Sequence, residues 1–232
     1  MGFEIKSTKD IVDNNGVKIL VYANSGFGKT STLGTLKGKT LLLNVENGFL
    51  VLKDKDIDTI DITSISTLGE VYNALVDGSL QYDNVAIDSL SEIGEMVVSE
   101  LMQDEYYGDP RNAMVLWKTY SNRMTNIVKM FRDLKGFNVI FTALVENVDA
   151  NGTITKMPMI PAKKFQLKLP SLFDEVYYGV VKGDGERFLH TTDGAGYMAK
   201  SRAGTFAREV NITQDKEDAT TLGAMLQAIV NN

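Results

Sequence analysis

The chain has 232 residues, 44% of them hydrophobic and 23% charged, which suits a folded α/β protein with a sizeable core. It has no cysteine and one histidine, so a disulfide framework and a zinc site built on Cys or His are excluded. The net charge of −6 argues against a surface that coats nucleic acid, although residues 151–210 are locally basic. No apolar stretch has the length of a membrane span or a secretion signal, so we predict a cytoplasmic protein.

The first predicted elements are a polar edge segment over residues 1–16 and a strand, loop and short helix over residues 17–36. Residues 17–33 read VKILVYANSGFGKTSTL, in which an apolar run is followed by a glycine-containing loop and a helix-forming stretch. The loop matches the pattern G-x-x-x-x-G-K-[ST] except that Ala23 stands where the first glycine belongs. Gly26 and Gly28 still provide the permissive backbone that close approach to a phosphate requires.

Such a loop binds phosphate, because its N–H groups and the N-terminus of the following helix attract negative charge. Lys29 would reach the β- and γ-phosphates, and the hydroxyl of Thr30 would ligate Mg²⁺. We therefore predict a nucleotide site with ATP and Mg²⁺ as cofactors. Its predicted nucleotide-binding residues are Asn24, Ser25, Gly26, Phe27, Gly28, Lys29, Thr30 and Ser31.

The later elements alternate between strands and helices, which is typical of an α/β fold. Strands are predicted at residues 40–45, 59–62, 82–90 and 137–144, and helices at 66–76, 92–102 and 117–134. A long loop with a possible hairpin at Asn151-Gly152 follows over residues 145–169, then short strands at 175–181, 187–191 and 196–199, and a helix at 219–230. This order predicts a mostly parallel sheet covered on both faces, with an antiparallel C-terminal extension. We expect one domain over residues 1–232.

Two acidic residues follow buried strands and should lie at the same edge of the sheet. Asp88 ends the apolar run 85–87 and is predicted to be the second Mg²⁺ anchor, because ligands of open α/β sheets bind at that edge. Glu46 ends the apolar run 41–45 and is predicted to be the general base that activates water. It is preferred to Glu92, since Ser89 directly follows Asp88 and Glu92 lies on the next helix.

These motifs together resemble the RecA-type ATPase core, and they are similar in particular to phage-encoded ATPases of the Sak type used in recombination and single-strand annealing. The segments that carry the resemblance are the G-K-T-S loop, Glu46, Asp88-Ser89-Leu90, the strand 139–143, the run LPSLFDEV at 169–176 and the K-x-R-x-G segment at 200–204. The resemblance covers residues 17–204 and implies a three-layer RecA-like P-loop NTPase fold. One departure is Leu144, which stands where the family has Gln or His; Thr142 and Glu146 are the nearest polar residues.

The resemblance also implies oligomers and DNA. Lys200 and Arg202 would be catalytic fingers that reach the γ-phosphate of an adjacent subunit in a ring or filament. The loop 145–169 would bind single-stranded DNA through Lys156, Lys163, Lys164 and Lys168, and Tyr106, Tyr107 and Arg111 would form a first DNA loop. A single-strand DNA-binding protein is a further expected partner.

Two other functions fit the same residues. One is a DNA-independent ATPase accessory factor, such as a helicase loader or a packaging aid. The other is a small-molecule kinase, which is less favoured because the sequence lacks the arginine-rich lid of small P-loop kinases.

Overall fold

The computed structural model describes residues 15–150, 152–214 and 216–231 of the chain. Most of the predicted edge segment lies outside these residues. The strands are β1 Lys18–Ala23, β2 Thr40–Asn44, β3 Asp58–Asp61, β4 Asn84–Asp88, β5 Asn138–Ala143, β6 Val145–Ala150, β7 Thr153–Pro158, β8 Glu175–Lys182, β9 Glu186–His190, β10 Lys200–Ser201 and β11 Glu209–Asn211. The helices are α1 Lys29–Leu33, α2 Ile65–Val76, α3 Leu90–Gln103, α4 Ala113–Arg132, α5 Lys163–Lys168 and α6 Leu222–Val230. Short 3₁₀ turns occupy Phe49–Leu52, Pro110–Asn112 and Leu169–Leu172.

Nine strands form the main sheet, in the order β11-β9-β8-β1-β5-β4-β2-β3, with β10 beside β8. The strands from β8 to β3 are all parallel, whereas β9 and β10 pair antiparallel with β8. Parallel strands need crossover helices, and helices on both faces explain why the inner strands β1, β2, β4 and β5 are buried almost throughout, without alternation. Strands β6 and β7 form a separate antiparallel hairpin.

The sheet lies between two layers of helix, which confirms the predicted α/β fold of a P-loop NTPase. On one face, Leu20 and Tyr22 of β1 join a core with helices α2 to α5. On the other face, Ile19 and Val21 pack in a core with α1 and α6. Adjacent residues of a strand point to opposite faces, so β1 contributes to both cores and brings the loop that follows it to the sheet edge between them.

Three sequence predictions are corrected. Helix α1 ends at Leu33, because residues 34–36 continue in tighter turns, such as that closed by the Gly34 N–H donating to Ser31 O. The strand predicted at 196–199 is instead β10, since Gly196 has a φ of 83°, which is a turn conformation. The hairpin predicted within 145–169 is confirmed as β6 and β7, although Asn151 of its turn lies outside the described residues. The rest of that predicted loop is corrected, because residues 163–168 form helix α5. In the described part of the chain, no helix is both long and apolar enough to cross a membrane.

Candidate nucleotide site

The glycine-containing loop connects β1 to α1 at the carboxyl edge of the parallel strands. Gly26 and Gly28 have φ angles of 81° and 94°, in the left-handed region that favours glycine. Phe27 between them is buried and anchors the loop to the sheet, and the Arg187 Nε donates to the Phe27 carbonyl oxygen at 2.8 Å. Helix α1 begins after Gly28, which has no side chain to cap the first N–H groups. The loop therefore has the conformation that a phosphate site requires.

Gly179 on β8 explains why alanine is tolerated at position 23. Ala23 is fully buried and pairs in register with Gly179. A Cβ on Gly179 would lie 2.9 Å from the Ala23 Cβ and 2.6 Å from the Cζ of Phe27, closer than such atoms can approach. Because Gly179 has no side chain, there is space beside it for the methyl group of Ala23 and for the Phe27 ring that anchors the loop.

We expect the substitution Gly179→Ala to destabilise the protein by about 1–3 kcal/mol, because it overpacks a filled core. It should also weaken ATP binding, since Phe27 must move and the loop moves with it. Chemical denaturation and equilibrium ATP binding measure the two effects. Gly183→Ala is the matched control, because a Cβ there meets nothing within 4 Å. Equal stability of the two variants would contradict this account of Ala23.

Lys29 is buried beside the loop that precedes it. Its Nζ donates to the Ala23 carbonyl oxygen at 3.3 Å and lies 3.5 Å from that of Asn24. Burial lowers the pKa of Lys29, while the negative charges of Glu46 and Asp88 raise it in part. A cation held among neutral carbonyls and two acids is suited to exchange those contacts for phosphate oxygens.

Asp88 lies at the end of β4 and is buried next to Thr30. The Thr30 Oγ1 donates to one carboxylate oxygen at 2.5 Å, and the Thr142 hydroxyl of β5 donates to the other. Hydroxyl and carboxylate oxygens suit Mg²⁺, which completes its coordination with water and substrate phosphates. The donor set therefore fits the metal, and Thr30 and Asp88 would hold it, where it would neutralise charge on the phosphates.

Glu46 follows β2 and is tied to the end of β4. The N–H groups of Val45 and Glu46 donate to the Asp88 carbonyl oxygen at 2.8 and 3.2 Å. The Ser89 hydroxyl donates to the Glu46 carboxylate, and its oxygen also caps α3. These bonds hold Glu46 half-buried at the same edge as Lys29 and Asp88, as the sequence predicted for a general base.

We expect Glu46→Gln to lower ATP turnover by about 10²–10⁴-fold, the usual contribution of general acid–base catalysis. ATP binding should persist, because the amide keeps the size of the side chain and its bond with Ser89. Turnover and equilibrium binding are measured on the same preparation. Glu92→Gln, on the first turn of α3, is the control and should retain turnover. The opposite pattern, with Glu92→Gln inactive and Glu46→Gln active, would transfer the role to Glu92.

Lys200 and Arg202 lie at the opposite edge of the sheet from the loop. Lys200 pairs with Val176 near the start of β8, whereas the loop follows the strand position paired with Gly179. Ser201, between the two fingers, pairs with Glu175, and at about 3.3 Å per residue the four steps from Glu175 to Gly179 correspond to roughly 13 Å along the strand. The Lys200 Nζ donates to the carbonyl oxygens of Pro170 and Phe173, at 3.1 and 2.6 Å. The two fingers are therefore not brought into the site of their own chain.

Of the two predicted catalytic fingers, Arg202 can more easily leave the contacts within its own chain. Its side chain is 56% exposed and pairs with Asp174 at 2.8 Å. An exposed ion pair contributes little stability, so this guanidinium can change partners at low cost. Burial lowers the pKa of Lys200, with a further contribution from the charge of Arg202.

The four predicted DNA lysines are exposed, but they lie on a strand and a helix and not on an irregular loop. Lys156 is on β7, with its Nζ 5.5 Å from the centre of the Tyr178 ring. The other three are on α5, where the Lys163 Nζ donates to the Asp149 carbonyl oxygen at 2.5 Å. The helix was missed because its six residues carry three lysines and only two apolar residues.

The predicted first DNA loop offers one exposed ring. Tyr106 is 57% exposed, while Tyr107 packs against the main core and contacts Tyr106 edge to face. Arg111 forms an ion pair with Asp109. Of the two tyrosine rings, Tyr106 is therefore the one that is open to stacking on a base.

Sequence reasoning missed several residues around the site. Thr142 is a polar residue inside a buried apolar run, and Gly179 is a glycine inside a strand; both are signals of a special contact. Ser89 had a weaker signal, its position directly after Asp88. Arg187 had none, because its bond to Phe27 joins residues 160 positions apart.

The parallel sheet, the phosphate loop after β1 and the acidic residues at the same edge define a nucleotide-hydrolysing P-loop ATPase. Residues 15–203 match the sequence model of a protein family described as an AAA domain, and the chain belongs to that family. The search of curated proteins found no match.

Proposed function

We propose that this ATPase acts on single-stranded DNA in recombination or annealing, as a homo-oligomer, in the manner of the phage ATPases that its motifs resemble. The DNA would bind the lysines of the β6–β7 hairpin and α5, at the same edge of the sheet as the phosphate loop. Contacts of this kind go to the backbone phosphates and do not depend on sequence. Mg²⁺ would be held by Thr30 and Asp88.

The observation that carries the proposal is the direct attachment of the hairpin to the strand that precedes the phosphate loop. The Tyr22 hydroxyl of β1 shares its proton between the carbonyl oxygens of Met198 and of Lys156, the second at 3.0 Å. The same hydroxyl accepts from the Met198 N–H at 3.1 Å. Tyr22 is only one residue before Ala23, so a lysine-bearing element is fastened to the nucleotide site itself.

A second attachment joins the base of the hairpin to the first turn of α3, the helix that follows Asp88. The Ser91 hydroxyl on α3 donates to the Met159 carbonyl oxygen at 2.8 Å and accepts from the Leu144 N–H at 2.9 Å. Ser91 is three residues after Asp88. Although Leu144 has no polar side chain, its main chain takes part in a link between the proposed metal ligand and the proposed DNA element.

The separation of the fingers from their own site supports an oligomer. A side chain about 13 Å from the loop along the sheet could serve only the loop of another subunit. Hydrolysis would then require assembly, and DNA would promote it by aligning subunits.

The proposal is tested by ATP turnover with and without single-stranded DNA, measured alongside particle size. We expect DNA to stimulate turnover and ATP to promote rings or filaments. The triple variant Lys156→Gln, Lys164→Gln and Lys168→Gln should lose the stimulation. Each lost phosphate contact should reduce the slope of log K against log salt by about 0.7 for single strands.

The control variant removes the same number of positive charges from a different part of the surface. Lys118, Lys129 and Lys135 are exposed on and just after α4, and their replacement by glutamine should leave DNA stimulation intact. Turnover that ignores DNA, in a protein that remains monomeric with ATP, would instead favour a DNA-independent accessory ATPase. Phosphate transfer to a small acceptor would favour the kinase.

A further inference from the structure

Glu175 carries a fully buried carboxylate at the start of β8, away from both the nucleotide site and the proposed DNA element. Its main chain is held on two sides, because it pairs with Ile19 of β1 and with Ser201 of β10. Among the residues that the structure describes, no Lys, Arg or His forms an ion pair with it. A buried carboxylate without a counterion is unfavourable unless hydrogen-bond donors compensate its charge. The positions of those donors therefore indicate what the carboxylate does.

Two of the donors are main-chain groups of the segment that carries Arg202. The Glu175 Oε1 accepts from the N–H groups of Arg202 and Ala203, both at 3.0 Å. The Arg202 N–H is shared with the Asp174 carbonyl oxygen at 3.1 Å. Hydrogen bonds to an ionised carboxylate are about twice as strong as those between neutral groups. The carboxylate therefore holds the main chain of residues 202–203 against the sheet.

The third donor fixes the carboxylate itself. The Tyr177 hydroxyl, on the same strand, donates to the Glu175 Oε2 at 2.9 Å. Tyr177 is also fully buried, and this burial, together with the negative charge of Glu175, raises the pKa of its hydroxyl, which therefore remains a donor. The two carboxylate oxygens thus have separate partners, one on β8 and one on the segment of Arg202.

Strand pairing alone does not hold Arg202. Strand β10 is two residues long and ends at Ser201, so Arg202 is the first residue beyond it. The Ser201 hydroxyl closes the following turn by accepting from the Gly204 N–H at 2.9 Å. The Arg202 guanidinium lies on Asp174 at the surface, an ion pair that it would leave to reach another subunit. The bonds from Glu175 go to the main chain, so they would persist when the guanidinium moves.

We propose that Glu175 is a positioning residue for the Arg202 finger. Its buried carboxylate holds the main chain of residues 202–203, so that the guanidinium extends from a fixed point towards the phosphates bound by an adjacent subunit. This proposal rests on the proposed function, because it requires an oligomer in which Arg202 acts on the site of a neighbour. Glu175 acts only through Arg202.

The first test measures ATP turnover and ATP affinity under the conditions of highest wild-type turnover. Glu175→Ala is expected to lower turnover by about 10²-fold, the effect of misplacing a catalytic group by about 1 Å, and to change ATP affinity by less than about twofold. The affinity should persist because Glu175 lies at the far edge of the sheet from the loop of its own chain. Glu175→Gln should retain turnover to within about threefold, because its amide oxygen can still accept from both N–H groups.

Tyr177→Phe is the matched control. It removes a buried hydrogen bond from the same carboxylate but leaves both bonds to residues 202 and 203 in place. We expect this variant to keep its turnover. A loss of turnover equal to that of Glu175→Ala would contradict the proposal, because any disturbance of the buried carboxylate would then have the same effect.

Mixing experiments separate a positioning role from a general loss of structure. An equal mixture of Glu175→Ala with Lys29→Ala should recover about a quarter of wild-type turnover, because half of the loops and half of the facing fingers are intact. A mixture of Glu175→Ala with Arg202→Ala should recover nothing, because neither chain has a working finger. Glu175→Asp, whose side chain is one methylene shorter, decides by the same pattern if Glu175→Ala does not fold.

Three outcomes would overturn the role of Glu175, and they have different meanings. Full turnover of Glu175→Ala beside an inactive Arg202→Ala would refute this role and leave the finger in place. No recovery on mixing with Lys29→Ala would show that the defect extends beyond the finger. Full turnover of Arg202→Ala would refute the finger and the role of Glu175 together, which is a failure of the proposed function.

Discussion

Replacing Lys29 with alanine is expected to lower ATP turnover by about 10²–10³-fold, the usual effect of removing a group that stabilises charge in a transition state. The ammonium group is buried beside the loop, with its Nζ against the carbonyl oxygen of Ala23. Lys29 is the one lysine among loop residues 24–31. ATP binding should weaken in parallel, because Lys29 would contact the phosphates in the ground state as well.

Thermal unfolding separates this effect from a loss of folding. Without nucleotide, Lys29→Ala should melt at the temperature of the wild type or above it, because burial of the ammonium group is unfavourable, as its lowered pKa indicates. ATP should raise the melting temperature of the wild type by mass action, and this increase should be absent in Lys29→Ala. Lys37→Ala, on an exposed turn, should respond to ATP like the wild type. An undiminished response to ATP in Lys29→Ala would refute the site.

The central strands and the edge at which Lys29, Glu46 and Asp88 meet were predictable from the sequence. Each of these residues follows an apolar run, and parallel strands bring such positions to one edge. This prediction required only the local pattern of apolar runs and the rule that parallel strands end at the same edge of a sheet. It therefore placed Glu46 and Asp88 together although 42 positions separate them, and their main chains are joined through the Asp88 carbonyl oxygen.

The surroundings of the site were less predictable, because they depend on pairings across the sheet. Whether Ala23 could replace glycine depended on Gly179 in β8, and that register is set by packing of the whole strand. The bond from Arg187 to Phe27 likewise requires β9 to fold back beside the loop. Local periodicity contains no information about such contacts.

The secondary structure of the segment after β5 was hard to predict for a different reason. Alternation within β6 and β7 is weak, and α5 is short and lysine-rich, so composition favoured a loop. Tertiary contacts instead order this segment: Gln166 is buried, and its side-chain amide donates to the Pro158 carbonyl oxygen at 2.8 Å. A buried glutamine is not recognisable before the elements around it are known.

Arg202→Ala should lower turnover by about 10³-fold or more if the guanidinium acts as a finger on the phosphates of a neighbouring subunit. ATP binding by the variant should persist, because Arg202 lies at the far edge of the sheet from its own loop. The decisive experiment mixes Arg202→Ala with Lys29→Ala. The first variant retains an intact loop and the second an intact finger, so the two together can form complete sites that neither forms alone.

Random assembly of an equal mixture should restore about a quarter of wild-type turnover, because half of the loops and half of the facing fingers are intact. Arg132→Ala is the matched control, since Arg132 also forms an ion pair at the surface, with Asp133, yet has no place in the proposed interface. It should retain turnover when assayed alone. A finger that acts within its own chain would give no recovery on mixing. Full activity of Arg202→Ala by itself would remove this residue from catalysis, and the same mixing experiment with Lys200→Ala would then decide whether Lys200 acts instead.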